Sequence, residues 1–216
     1  MNRDIPIQQL REDYKKHYLT ENEVSNNPLV QFETWFKQAI EAGISEPNAM
    51  CLSTCGSDMQ PKSRIVLLKD LDEGFVFYTN YKSQKGHDLE ENPKAALNFL
   101  WLPIERQVRI EGTVEKIPEK TAKEYFDSRP LGSRLGAIVS PQSEVITTRA
   151  ILEQKLATLK NDFSEENPPR KPKHWGGYKL IPHTIEFWQG RTSRLHDRLR
   201  YTLGENGTWK LERLAP

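Results

Sequence analysis

The sequence predicts an α+β protein with a barrel-like, largely antiparallel sheet and peripheral helices. Three observations predict it. Five or more short strand patterns precede one long amphipathic helix, and about three follow it. Short turns link many of these strands, which favours antiparallel neighbours. The 216 residues, 36% hydrophobic with five Trp, suit a single core.

The elements follow in order. Residues 1–26 are polar and read as an N-terminal arm, mobile or conditionally ordered, in which "QQLREDYKKHY" offers at most a short helix. Residues 27–216 form the domain. "NNPLVQFETWFKQAIEAG" is a helix: Asn27 caps it, Pro28 suits its first position and Gly43 ends it. Phe32, Trp35, Phe36 and Ile40 share its apolar face. "AMCLSTC", "PKSRIVLLK" and "GFVFYTN" are strands. "SQKGHDLEEN" is a helix capped by Ser83, and "KAALNFLWL" with "ERQVRIEGTVEKI" is a hairpin around Pro103. "PEKTAKEYFDSRP" and "LGSRLGAIVS" are short helices. In the long helix "TTRAILEQKLATLKNDF", Leu152, Leu156, Leu159 and Phe163 form one stripe. "YKLIPHTIEFWQG", "TSRLHDRLRYTL" and "GTWKLERLAP" are the last three strands.

Composition excludes several functions. Lys and Arg total 31 against 30 Asp and Glu, so bulk nucleic-acid or polybasic membrane binding is not expected. No apolar run resembles a signal peptide or a bilayer span. Cys51 and Cys55 sit roughly 13 Å apart along a strand, too far for a mutual disulfide. Reduced thiols fit a cytoplasmic protein. His87, His174 and His183 lack the partners of a metal site, so no metal is expected. No Rossmann, P-loop or G-x-S-x-G spacing occurs.

The chemistry must therefore sit in local clusters. In "EFWQGRTSRLHDRLRY", the residues Arg194, His196 and Arg198 alternate, which on a strand places all three on one face. At roughly 7 Å, two such charges repel by about 2.4 kcal/mol at an effective dielectric near 20. In a cleft that repulsion calls for an anion, with Trp188 as a roof. A solvated edge strand fits the spacing equally well. Asp197, on the other face, is placed to balance one arginine. In "RIVLLK", Arg64 and Lys69 converge only if the strand bends before Lys69. In "SQKGHDLEEN", Lys85 lies in a first helical turn, where the dipole favours phosphate. Tyr125, Arg129 and Ser133 recur every fourth residue, but Pro130 interrupts their helix.

Taken in order, "RIVLLK", "FVFYTN", "SQKGHDLEENP", "ERQVRIEG", "YFDSRP", "SRLGAIVSPQS", "HWGGYKL", "EFWQGRTSRLHDR" and the final "ERLAP" resemble the pyridoxamine (pyridoxine) 5′-phosphate oxidase family. The resemblance implies an FMN-binding split β-barrel and a homodimer with shared active sites. It implies oxidation of pyridoxine 5′-phosphate or pyridoxamine 5′-phosphate by O2 to pyridoxal 5′-phosphate and hydrogen peroxide, with ammonia from the amine, in vitamin B6 biosynthesis and salvage. It assigns FMN to Arg64, Ile65, Val66, Leu67, Leu68, Lys69, Tyr78, Thr79, Gln84, Lys85, Gln107, Gln142, Ser143, Trp188 and Arg198. It assigns the substrate phosphate to Lys69, Tyr125, Arg129 and Ser133, and the substrate ring to Arg194 and His196 as the catalytic pair. Arg11 and Tyr14 of the arm would close over the site. Two positions depart from the family: Gln84 and Glu12 stand where basic residues are common. Gln84 removes one charged contact to the FMN phosphate, worth about 1–3 kcal/mol.

Overall fold

The computed structural model describes residues 13–216. The expectations for Arg11 and Glu12 lie outside them. Helix α1 (Pro28–Glu41) begins where Asn27 Oδ1 accepts the Leu29 N–H at 2.9 Å. It ends before Gly43, whose φ of 69° favours a residue without a Cβ. Strands β1 (Ala49–Cys55), β2 (Pro61–Leu67), β3 (Asp70–Leu71) and β4 (Phe75–Asn80) lead to α2 (Gln84–Glu91). Then come β5 (Lys94–Trp101), β6 (Arg106–Lys116), α3 (Glu119–Ser128), α4 (Leu131–Val139) and α5 (Ala150–Asp162). Strands β7 (Trp175–Gln189), β8 (Asp197–Leu203) and β9 (Trp209–Arg213) close the chain.

The sheet runs β2-β1-β5-β6-β7-β4-β3, and β8 joins β7 to β9. Antiparallel ladders join β1 to β2, β4 to β3 and β7, and β8 to β7 and β9. The 15-residue β7 pairs with β4 along its first half and with β8 along its second.

Two compact units divide the chain. Among the described residues, one comprises 13–47, 98–110 and 183–216; the other comprises 48–97 and 111–182. In the first, Phe32 packs on Phe99 at 4.9 Å and Trp35 on Phe187 at 5.1 Å. The buried Arg106 guanidinium lies 4.3 Å from the Trp35 ring and donates through Nε to Gln189. In the second, Phe75, Phe77, Phe126, Leu97 and Leu180 fill the core. Among the described residues, no helix is long and apolar enough to cross a membrane, and no cluster of His, Cys, Asp and Glu could hold a metal. Cys51 and Cys55 are free thiols.

Several expectations change. Ala39, not Ile40, completes the buried face of α1; Ile40 is 53% exposed. The α5 stripe is only half-buried, and no residue of that helix is fully buried. Of the short-helix expectation over "QQLREDYKKHY", residues 8–12 lie outside the described residues; residues 13–26 form no helix and run without regular structure. The final hairpin departs most. Thr192–Arg194 is a short 3-10 turn, and β8 starts only at Asp197. Arg194 (φ 60°) and His196 therefore precede the strand, and the three basic residues share no strand face. Local alternation could not reveal this, because Ser193 and Arg194 both take left-handed backbone conformations.

Gly86 has a structural reason. A Cβ there would lie 2.1 Å from the Tyr81 carbonyl oxygen, so α2 can start against residue 81 only with glycine. At Gly132 in α4 a Cβ would meet open space. We expect Gly86→Ala to lower the unfolding free energy by at least about 2 kcal/mol. Gly132→Ala should raise it by roughly 0.5 kcal/mol. Chemical denaturation of the two variants measures both.

Candidate active site

A cavity of about 690 Å³ lies in the unit of residues 48–97 and 111–182. That is within the usual size of a small-molecule site. The strand after Arg64 explains one wall. Strand β2 stops at Leu67, and Lys69 sits in the break before β3. The chain bends there, so Arg64 and Lys69 both line the cavity, together with Ile65, Val66 and Leu67. Among the described residues, strand β2 ends the sheet order and pairs with β1 alone, so its other edge keeps backbone donors and acceptors for a ligand.

An aromatic shelf forms a second wall. Tyr78 stacks on Tyr125 at 3.9 Å and on Trp175 at 5.3 Å. Burial, and then Tyr125, push the Tyr78 hydroxyl up to about 12, so it stays protonated. The Arg129 guanidinium lies 4.8 Å from the Trp175 ring. Pro130 breaks the helix after Arg129, and α4 restarts at Leu131. Tyr125, Arg129 and Ser133 nevertheless meet on the cavity wall.

Charge is the most telling feature. Lys85, 8% exposed, donates to Ser83 Oγ at 3.3 Å and to Gln142 Oε1 at 3.2 Å. Thr79 donates to the same Gln142 oxygen. Among the described residues, neither Lys85 nor Arg129 makes an ion pair, and Arg129 Nη1 is buried without a partner. Burial, and then Arg64, lower Lys85 to about 8; burial also lowers Arg129 and Arg64. Arg64 is steered by Thr54 Oγ1 at 2.6 Å and lies 3.8 Å from the Asp88 carboxylate. Buried cations without counter-charges are costly unless an anion joins them. The aromatic shelf, the free strand edge and these cations fit a planar ring compound carrying a phosphate, so the residues present suit FMN.

The sequence-predicted residues divide between places. Arg64, Ile65, Val66, Leu67, Lys69, Tyr78, Thr79, Lys85, Gln142, Ser143, Tyr125, Arg129 and Ser133 all line the cavity. Leu68 is buried beside it, and Gln84 is exposed and donates to Asp88 at 3.0 Å. Tyr14, Gln107, Trp188, Arg194, His196 and Arg198 belong to the other unit. There Trp188 and His196 are 4.6 Å apart, and Tyr14 lies 5.8 Å from each ring. Asp197 pairs with Arg191 and Arg213 instead of Arg194 or Arg198. Arg198 pairs with Glu186 at 2.8 Å and donates to the Ala215 carbonyl. Sequence reasoning missed Trp175, Asn80 and Ser140 in the cavity wall, and Thr54 and Asp88 behind Arg64. Asp88, one helical turn after Lys85, was the available signal.

Comparisons with known proteins bear on family and fold. The sequence profile described as "Pyridoxamine 5'-phosphate oxidase" matches residues 36–161, and that described as "Pyridoxine 5'-phosphate oxidase C-terminal dimerisation region" matches 175–216. A pyridoxine/pyridoxamine 5'-phosphate oxidase from Acaryochloris marina is 55% identical over 211 residues, covering 97% of this chain and 95% of its own. One from Salinibacter ruber is 54% identical, covering 96% and 97%. The crystal structure of PhzG from Burkholderia lata has a TM-score of 0.88 at 28% identity, covering 95% of this chain and all of that one. A pyridoxamine 5'-phosphate oxidase-related, FMN binding protein from Nostoc punctiforme has a TM-score of 0.69 at 15% identity, covering 86% and 97%, and shares the fold. The α+β split-barrel expectation therefore holds.

The lowered Lys85 value has a testable sign. Below pH 8 the folded protein carries a charge that burial disfavours; unfolded lysine stays charged until about 10.5. Stability lost to this burial is regained as pH rises from 8 to 10.5. Lys85→Met should therefore raise the unfolding free energy of the ligand-free protein at pH 7, by up to about 3 kcal/mol, and the gain should vanish by pH 10.5. Denaturant titrations across that range check it.

Proposed function

The chain belongs to the pyridoxamine 5′-phosphate oxidase family, and from that premise we propose how its residues divide the work. It is an FMN-dependent oxidase acting on pyridoxine 5′-phosphate or pyridoxamine 5′-phosphate to give pyridoxal 5′-phosphate. When bound, FMN supplies the two-electron acceptor for the substrate's 4′ carbon and passes the electrons to O2, giving hydrogen peroxide. The amine substrate additionally takes up water and releases ammonia.

Lys85 and Arg64 neutralise the FMN phosphate, helped by Thr79, Gln142 and Ser143. The free edge of β2, from Ile65 to Leu67, would take the ring system. Gln84 turns to Asp88 and contributes no charge, so the phosphate falls to Lys85 and Arg64. Arg129 holds the substrate phosphate, with Tyr125, Ser133 and Lys69 beside it. The buried, unpartnered Nη1 of Arg129 is the single observation that carries this reading.

The C-terminal match to a dimerisation region supports a homodimer, in which the Trp188 cluster of one copy completes the cavity of the other. Gln107, Trp188 and Arg198 then finish the FMN site, while Arg194, His196 and Tyr14 face the substrate ring. His196 has a defined proton. Its Nδ1 accepts the Arg191 backbone N–H at 3.1 Å. Burial, and then Arg194, lower its pKa from the ordinary 6.5, so it is neutral at pH 7. A neutral imidazole whose Nδ1 accepts carries its hydrogen on Nε2. His196 therefore donates to the substrate through Nε2 and does not take a proton there. Glu186 holds Arg198 through its Nε.

Oxygen-dependent formation of pyridoxal 5′-phosphate by the purified protein, with NADH as a control donor, tests the proposal. NADH-driven flavin turnover without pyridoxal 5′-phosphate would replace it with a reductase. Arg129→Met should raise KM for both substrates at least about tenfold, roughly 1.4 kcal/mol, with FMN content unchanged. Arg194→Ala should lower turnover while FMN stays bound; an unchanged steady-state rate would remove Arg194 from the mechanism.

A further inference from the structure

Glu105 holds a backbone conformation that glutamate does not favour. Its φ of 57° and ψ of 40° are left-handed, the region suited to Gly or Asn. It is also only 7% exposed. A strained, buried acid persists where its surroundings compensate it. Its side chain reaches the arm: Oε2 accepts the backbone N–H of Lys15 at 3.0 Å and of Lys16 at 3.1 Å. The Lys16 ammonium reinforces this contact by donating to the Pro103 carbonyl at 2.7 Å. Its main chain reaches the other way: its carbonyl accepts the Gly190 N–H at 2.8 Å and the Gln189 side-chain amide at 3.1 Å. One residue thus ties the arm to the corner that precedes His196.

Tyr14 lies between the two ties, against Trp188 and His196. Gly190 leaves it room, because a Cβ there would come 2.7 Å from Tyr14 Cγ. Further along, Asp197 accepts the Leu19 N–H, and Arg213 donates to the Leu19 carbonyl, so the arm is held beyond Tyr14 as well.

We infer that Glu105 is a positioning residue, which docks the arm so that Tyr14 covers the Trp188–His196 pair before substrate arrives. The inference rests on the reading that Tyr14 and His196 face the substrate. An anionic oxygen suits two adjacent N–H groups of an extended chain. A docked arm has already lost the conformational freedom that substrate binding would otherwise have to remove. Its release therefore shows in KM more than in kcat.

The test uses the FMN-loaded enzyme and two variants. Glu105→Gly relieves the backbone strain and removes the acceptor; Glu105→Gln keeps an acceptor oxygen. Brief tryptic cleavage after Lys15 and Lys16 reports arm docking independently of catalysis. In Glu105→Gly we expect cleavage at least about tenfold faster, unchanged FMN content, and KM raised about fivefold or more with kcat within about twofold. Glu105→Gln should restore most of both. Equal cleavage of Glu105→Gly and the unaltered protein overturns the inference, as does faster cleavage with unchanged KM. A wild-type enzyme forming no pyridoxal 5′-phosphate would instead sink the functional reading, while the cleavage comparison still decides whether Glu105 docks the arm.

Discussion

Positive charge without a counter-charge is the constraint around which the cavity is organised. Lys85 and Arg129 are held in a largely buried wall by neutral partners, a serine, a glutamine and an indole face, where a carboxylate would have been the stabilising choice. A carboxylate in that position would compete with a phosphate. The arrangement lowers the stability of the free protein and favours an anion in the cavity. Arg64 shows the intermediate solution. Asp88 stands 3.8 Å away, close enough to orient the guanidinium, while Thr54 makes the short contact.

The unit that holds residues 183–216 treats several of its charges in the opposite way. Several of its charges are paired: Arg198 with Glu186, Arg191 and Arg213 with Asp197, Arg213 again with Glu21. Pairing fixes position at the expense of free charge. That suits a region in which the rings of Trp188, His196 and Tyr14 pack against one another. His196 itself is oriented by a backbone N–H, which its Nδ1 accepts, instead of by a carboxylate; burial, and then Arg194, lower its pKa.

Much of this was legible in the chain. The cap at Asn27, the Ser83 start of α2, the strand at "GFVFYTN" and the hairpin around Pro103 each rest on residues whose local preferences agree with the fold. Where local preference was silent, the reading failed. Nothing in "GRTSRLHDR" announces that Ser193 and Arg194 take left-handed conformations, so a strand pattern was read through a turn. Nor does the 3.6-residue period reveal that Ala39 is buried and Ile40 exposed, because that depends on what packs against α1.

The sequence by itself determined the element types, the antiparallel pairing and the family to which the chain belongs, since these follow from hydrophobic period, turn chemistry and ordered motifs. Only the tertiary structure decided which charges are paired. Arg64 and Lys69 share one wall because the strand breaks after Leu67. Tyr125, Arg129 and Ser133 share it across an interrupted helix, and Glu105 meets Lys15 across ninety residues of chain. Contacts of that kind carry no local signature, because they are made by folding and not by neighbouring residues.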